Sequence, residues 1–262
     1  MPLVFASITP HSPLLIPTIG RENVTQLAKT LSSLQTLKED LYVARADSLI
    51  IISPHGANKN NSFTINLSPE YSANLEQFGD HSTRATYTGD IGLIHQIREN
   101  LEDKVPMQLI TENQLDYGCF IPLLTLTNPA NTPKLIPIYD CERDVKSHFE
   151  FGQFLQREIA FSNKRIAVIA SADLSHKLNK NSPAGYSPNA EKFDTKLLEY
   201  LNKNQVADIM QFKPELLEEV AECGLRSIAT LLGILSGTKS EPDKLSYESP
   251  FGVGCLTLRY HL

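Results

Sequence analysis

The chain has 262 residues, of which 41% are hydrophobic and 21% are charged, and this composition is typical of a globular protein with a sizeable core. Its net charge of −6 and the absence of a Lys/Arg stripe argue against nucleic acid as a partner. No apolar run approaches the roughly 20 residues that a membrane-spanning helix needs, so we expect no membrane partner. The sequence shows no export signal, and its four cysteines form no CxxC pair. We therefore expect a cytoplasmic protein with reduced thiols.

The N-terminal half of the chain alternates apolar runs with amphipathic segments. Its strands are predicted at residues 3–9, 48–53, 63–67 and 108–111, and its helices at about 23–46 and 91–100. We expect strand 63–67 to be half-exposed, because apolar and polar residues alternate along it. Residues 70–90 are polar and predict a long irregular loop, which would form a lid or a pocket wall.

The C-terminal half continues the same alternation. Its strands are predicted at residues 134–139, 166–171 and 252–258, with helices at 145–161, 190–202, 204–212, 215–221 and 227–235, and a loop at 179–188. No internal repeat or linker interrupts the pattern. The sequence therefore predicts a single α/β domain over residues 1–262, with a central, largely parallel or mixed sheet flanked by helices.

Three of the seven histidines directly follow predicted strands. His11 follows the first strand, and His55 follows a run of three isoleucines that ends at Ser53 and Pro54. His176 follows the strand at 166–171. Open α/β sheets bind their ligands at the carboxyl ends of the strands, so these imidazoles should converge. Converging neutral imidazoles are suitable ligands for zinc, iron or copper.

A third protein ligand is left open by the sequence. Two histidines and one carboxylate would leave positions free for substrate and oxygen, as in non-haem Fe(II) oxygenases. Glu222 ends a predicted helix and is followed by Cys223 and Gly224, and glycine lets the backbone approach a ligand closely. A Glu222 oxygen would suit iron, whereas the Cys223 sulfur would favour zinc or copper.

Several motifs occur in a fixed order along nearly the whole chain. They are the segments Thr9–Leu14, Ile52–Gly56, Leu115–Leu123, Ala170–His176 and Glu222–Ser227. In this order they resemble the LigB superfamily, the class III extradiol ring-cleaving dioxygenases, and the related Memo-like proteins. The last segment falls where that family has its final metal ligand, which is glutamate in the dioxygenases and cysteine in the Memo-like proteins.

The resemblance implies a metal site and a reaction. It implies that His11, His55 and Glu222 hold Fe(II), which binds a small aromatic substrate of the catechol type together with dioxygen. Zinc or copper, with Cys223 as ligand, is the alternative. In that case the chain would be a Memo-like metal-binding protein without ring-cleavage activity. A metal hydrolase that uses a metal-bound water is a third candidate.

The resemblance also implies roles around the metal. His176 would act as acid and base, and Asp173 would orient its imidazole and raise its pKa. Tyr117 stands where the dioxygenases usually have a histidine that helps to bind and activate substrate, and a phenol is a poor base near neutral pH. The sequence leaves open the substrate, the native metal, homo-oligomerisation and the need for a small partner subunit.

Overall fold

A computed structural model describes residues 2–56, 60–128 and 131–262. The strands are β1 Leu3–Thr9, β2 Ser48–Ser53, β3 Phe63–Asn66, β4 Glu70–Leu75, β5 Asp80–Thr88, β6 Met107–Ile110, β7 Lys134–Tyr139, β8 Ile166–Ser171, β9 Glu241–Glu248 and β10 Cys255–His261. The helices are α1 Pro17–Gly20, α2 Ala28–Ala44, α3 Ile91–Leu101, α4 Tyr117–Leu126, α5 Val145–Phe161, α6 Ala190–Asn202, α7 Val206–Ile209, α8 Pro214–Val220 and α9 Leu225–Leu235. Within these ranges, no helix has both the length and the hydropathy of a membrane span.

One mixed sheet holds eight of these strands in the order β6-β3-β7-β2-β8-β1-β10-β9. The four strands β7, β2, β8 and β1 run parallel to one another. At one edge β10 and β9 add antiparallel pairs, and at the other edge β3 pairs antiparallel with β7. The predicted α/β class with a mixed sheet is confirmed. Because β2, β8 and β1 are parallel neighbours, their carboxyl ends lie side by side at one edge of the sheet.

The sheet is covered by helices on both faces, and β2 shows how the sequence specifies this. Leu49 and Ile51 pack in the core layer that includes residues of α2 and α4. Ile50 and Ile52 pack in the opposite layer, with residues of α3, α5 and α9. Successive side chains of a strand point to opposite faces, so an unbroken apolar run is needed where both faces are buried.

Two predictions in the N-terminal half were wrong. Strand β3 is buried along its whole length, because its polar side chains find partners inside the sheet. Thr64 accepts a hydrogen bond from Gln108, and Asn66 donates one to the carbonyl oxygen of Glu112. The predicted irregular loop at residues 70–90 is largely the antiparallel hairpin β4–β5. A 3₁₀ turn at Glu76–Phe78 joins its two strands.

Other element boundaries also differ from those predicted. The first long helix begins at Ala28, after a 3₁₀ segment over Arg21–Leu27, and ends where Arg45 adopts a left-handed conformation. Only Val206–Ile209 of the predicted helix 204–212 is α-helical. Strand β9 was not predicted, and the last strand lies at Cys255–His261 rather than at 252–258.

Helices α5 and α9 cross at a pair of glycines, Gly152 and Gly233. A Cβ atom at Gly233 would lie 2.1 Å from the carbonyl oxygen of Phe149. We expect Gly233→Ala to lower the free energy of unfolding by about 1–3 kcal/mol, because the helices must separate to accept the methyl group. Gly92→Ala is the matched control, since this glycine is an exposed residue of α3 with open space around it.

The control substitution should raise stability by up to about 1 kcal/mol through helix propensity. Urea denaturation of both variants measures the difference. Equal effects of the two substitutions would show that the glycine contact does not limit the approach of α5 to α9.

Candidate metal centre

Three side chains from separate parts of the chain converge at the carboxyl edge of the sheet. The Nε2 atom of His11 lies 3.0 Å from Nε2 of His55 and 3.4 Å from Sγ of Cys223. Ligand atoms of all three residues lie within 4.8 Å of one another. Typical zinc–nitrogen and zinc–sulfur bonds place neighbouring donors of a tetrahedral site roughly 3.3–3.6 Å apart. The two distances from His11 are close to these values, and imidazole and thiolate are transition-metal donors, so the three side chains form a group that could hold one such ion.

A chain of hydrogen bonds prepares His11 as a ligand. The hydroxyl of Ser171 donates to the carbonyl oxygen of Gly118 at 2.5 Å, so its oxygen accepts the Nδ1 proton of His11 at 2.9 Å. The tautomer assigned from these partners leaves a lone pair on Nε2. His11 is 1% exposed, and burial, with the nearby charge of His176, lowers its pKa to about 3. The imidazole is therefore neutral at neutral pH.

Cys223 reaches this group because the connection between α8 and α9 packs closely on the end of β8. A Cβ atom at Gly224 would lie 2.4 Å from the Cβ of Ala172, so only glycine permits this approach. Burial, followed by the carboxylates of Asp173 and Glu222, raises the pKa of the Cys223 thiol. A bound cation would reverse this balance, because metal ligation deprotonates a thiol.

Glu222, the alternative third ligand, is not part of the group formed by the two histidines and Cys223. Its Oε2 atom accepts a hydrogen bond at 2.7 Å from the backbone N–H of Leu225, the first residue of α9. Burial raises the pKa of this carboxyl to about 6. Glu222 also lines a different cavity, together with Arg226. The Glu222 carboxyl therefore binds a backbone N–H at the start of α9.

Asp173, which was expected to orient His176, contacts His11. Its Oδ1 atom accepts a hydrogen bond from the backbone N–H of His11 at 3.1 Å, and Oδ2 lies 3.7 Å from Nε2 of the same residue. Burial raises the pKa of Asp173 to about 6, and the charge of His176 opposes this rise. Asp173 therefore fixes the His11 turn and places a carboxylate beside the group.

His176 is held by its own turn. Its Nδ1 atom lies 3.0 Å from the carbonyl oxygen of Leu174, which can only accept, so Nδ1 carries the proton. When the ring is neutral, Nε2 is therefore the basic nitrogen. His176 lines the same cavity as His11 and Asp173. The structure thus brings His11, Asp173 and His176 to one cavity.

Tyr117 lies against the second histidine. Its ring stacks on His55 with centroids 4.4 Å apart, and its hydroxyl lies 2.9 Å from Nε2 of His55. Asp116 starts helix α4 beneath it by accepting a hydrogen bond from the N–H of Cys119. Burial, with the neighbouring Cys223, raises the pKa of Tyr117, so the phenol is neutral and can donate a hydrogen bond.

Two cavities meet at Tyr117. One, of about 490 Å³, contains His11, Asp173 and His176 and has largely apolar walls. The other, of about 470 Å³, contains His55 and polar residues of the hairpin and of the segment before α4. Residues 70–90 were predicted to form a lid or a pocket wall, and Phe78 of this segment lines the first cavity and packs edge-on against Tyr117 at 5.1 Å. The sequence assigned no role to Ser171.

The buried carboxyl of Asp194 forms a hydrogen bond with the turn that holds His176. Asp194 of α6 is 1% exposed, accepts a hydrogen bond from the N–H of Ser175 at 3.1 Å and accepts one from the hydroxyl of Tyr247 at 2.6 Å. Burial raises its pKa from 3.8 to about 6. The folded state therefore holds this proton more tightly than the unfolded chain, and that contribution to stability is lost as the pH rises from about 4 to 6.

We expect Asp194→Asn to remove this pH dependence, because the amide oxygen can accept from Ser175 and the amide NH₂ can donate to the Tyr247 oxygen without a buried charge. The stability of the variant relative to the wild type should rise by about 3 kcal/mol between pH 4 and pH 7. Urea denaturation across this range measures the difference. Asp103→Asn, at an exposed position, is the control and should follow the wild-type profile. A constant difference between wild type and Asp194→Asn would contradict the assignment.

The fold and the cluster together define an α/β protein with a strand-end group of two histidines and one cysteine. Residues 5–257 match the family described as the catalytic LigB subunit of aromatic ring-opening dioxygenase. The match covers almost the whole chain, and the chain belongs to this family. The resemblance inferred from the motifs is thereby confirmed.

Two further comparisons found similar proteins. Protein CA_C1420 from Clostridium acetobutylicum is 29% identical over 258 residues, which cover 94% of this chain and 55% of that protein. The chain thus spans about half the length of this curated relative. The crystal structure of the uncharacterized protein JW3007 from Escherichia coli K12 superposes with a TM-score of 0.70, covering 98% of this chain and 99% of the other. At 16% identity, this likeness supports the fold alone.

Proposed function

We propose that the protein binds one metal ion through His11, His55 and Cys223 and opens the ring of a small aromatic diol with dioxygen. The observation that carries the proposal is the convergence of two imidazole nitrogens and one thiol at the carboxyl edge of the sheet. Fe(II) is the metal that this reaction requires, and the sulfur donor makes zinc and copper its competitors. The four cysteines are free thiols, which suits the cytoplasm that we propose as its location.

The bound metal would supply the electron transfer between diol and oxygen, and the protein would supply geometry and proton transfer. His11 is held by Ser171, and His55 is stacked on Tyr117, so both ligands are fixed before a metal binds. His176 would accept a proton from a substrate hydroxyl at Nε2, since its other nitrogen donates to Leu174.

The two remaining residues would act through charge and hydrogen bonding. The carboxylate of Asp173 would stabilise the positive charge that His176 gains when it takes the proton. The neutral hydroxyl of Tyr117 would donate a hydrogen bond to a substrate oxygen, the role open to a phenol at a position where the dioxygenases usually have histidine.

A second candidate is a Memo-like metal-binding protein without ring-cleavage activity. The observation that favours it is that Cys223, rather than Glu222, faces the histidines. The phenol at position 117 favours it as well, because it cannot act as a base near neutral pH.

Metal analysis and oxygen uptake distinguish the two candidates. The protein, purified without oxygen, would be loaded separately with Fe(II), Zn(II) and Cu(I), and bound metal counted per chain. Oxygen consumption and the absorbance of ring-opened product would then be followed with a panel of catechols. We expect one metal per chain and catechol-dependent oxygen uptake only with iron. No uptake across the panel with iron verified in the protein would favour the second candidate.

A further inference from the structure

The cavity that contains His11 has a distribution of charged and apolar side chains that restricts which ligands it can bind. Its volume of about 490 Å³ falls within the range of about 300–1,000 Å³ in which pockets bury drug-sized molecules, so it has room for a substituent beyond a single ring. Most of its other lining residues are apolar, with Ser12 and Asn181 as polar exceptions. The apolar residues include Leu14, Ile19, Phe78, Phe251 and Val253.

These walls come from three separate parts of the fold. Leu14 and Ile19 follow β1, Phe78 comes from the turn of the β4–β5 hairpin, and Phe251 and Val253 come from the connection between β9 and β10. An apolar substituent would therefore be enclosed on several sides. Removing the apolar surface of such a substituent from water favours binding.

The ionisable side chains of the cavity all lie at its metal end. Among the described residues that line it, none is lysine or arginine. Thiols apart, its ionisable side chains are those of His11, Tyr117, Asp173 and His176. A carboxylate on the substrate would find no lysine or arginine among these described lining residues, and it would share the cavity with the carboxyl of Asp173. Burying an unpaired charge in such surroundings is strongly unfavourable.

We infer that the cavity selects aromatic diols that carry an uncharged, apolar substituent and rejects diols that carry a carboxylate. This inference rests on the proposed function, because it is the diol that would bring the ring to the metal. The apolar cavity walls would determine which diol binds, whereas the metal bound by His11, His55 and Cys223 would determine whether its ring opens. Binding and ring opening can therefore be tested separately.

The test compares two diols that chelate a metal in the same way, 4-tert-butylcatechol and 3,4-dihydroxybenzoate. Their binding to Fe(II)-loaded protein would be measured without oxygen by isothermal titration calorimetry, so that no turnover is needed. We expect the alkyl diol to bind at least about tenfold more tightly. Equal affinities, tighter binding of the carboxylated diol, or no binding of either would overturn the inference.

A variant at the wall makes the test independent of the diols chosen. Val253→Lys introduces a cation, and it should strengthen binding of 3,4-dihydroxybenzoate by at least about tenfold relative to Val253→Met, an apolar control of similar length. Equal affinities of the two variants for the carboxylated diol would count against the inference. Tight binding of 4-tert-butylcatechol without oxygen uptake would refute ring opening and leave the specificity intact.

Discussion

Replacing Cys223 with serine is expected to abolish stoichiometric metal binding. The thiol is one of only three donor side chains that the described residues bring together here, and a serine hydroxyl is a poor substitute for a thiolate. Changes to residues that merely support a metal ligand cost about 10- to 100-fold in affinity, so loss of a ligand should weaken binding by more than about 100-fold. Metal content after gel filtration and competition with a chelator both measure this loss.

Two neighbouring positions provide matched controls for the cysteine substitution. Cys255 lines the cavity that contains His11, and its Sγ atom contacts the carbonyl oxygen of Val253, so Cys255→Ser changes a thiol outside the group of three donors. Glu222→Gln changes the residue next to Cys223 in sequence. It should cost about 1 kcal/mol of stability at the start of α9 and leave metal binding intact.

The opposite pattern would reverse the assignment of the third ligand. If Cys223→Ser keeps its metal and Glu222→Gln loses it, the carboxylate must turn into the cluster when metal binds. That outcome would restore the set of two histidines and one carboxylate found in non-haem iron oxygenases.

The convergence of the histidines could be predicted because it depends on properties that are local in sequence. The run from Leu49 to Ile52 specifies a strand buried on both faces, and Pro54, directly before His55, follows the last residue of that strand. The runs before His11 and Asp173 specify two more strands of the same kind. Parallel strands that are neighbours in a sheet place their carboxyl ends together, so the grouping follows from the fold class.

The choice between Glu222 and Cys223 could not be predicted, because it depends on contacts between distant segments. Gly224 packs on Ala172, and this contact sets which of the two adjacent side chains points at His11. Similarly, the polar segments β4 and β5 become strands because they pair with each other. This pairing cannot be deduced from composition. The hairpin was therefore missed, although a lid or pocket wall was predicted for the segment that supplies Phe78.

Replacing His176 with alanine is expected to lower the rate of ring opening by about 10²- to 10⁴-fold while metal binding is retained. The imidazole lines the cavity, and its Nδ1–H donates a hydrogen bond to the carbonyl oxygen of Leu174. Its Nε2 atom is therefore the basic nitrogen offered to a substrate hydroxyl. His176 is outside the group of three donor side chains, so removing it should leave the metal content near one ion per chain.

The control is His81→Ala, because His81 is exposed on the hairpin and belongs to neither cavity that meets at Tyr117. Oxygen uptake under saturating catechol gives the rate, and calorimetry without oxygen gives the affinity. A role in proton transfer predicts that the rate falls much further than the affinity, whereas a role in shaping the cavity would weaken both together. Loss of metal in His176→Ala would instead place this residue among the ligands, and a rate equal to that of His81→Ala would remove it from the reaction.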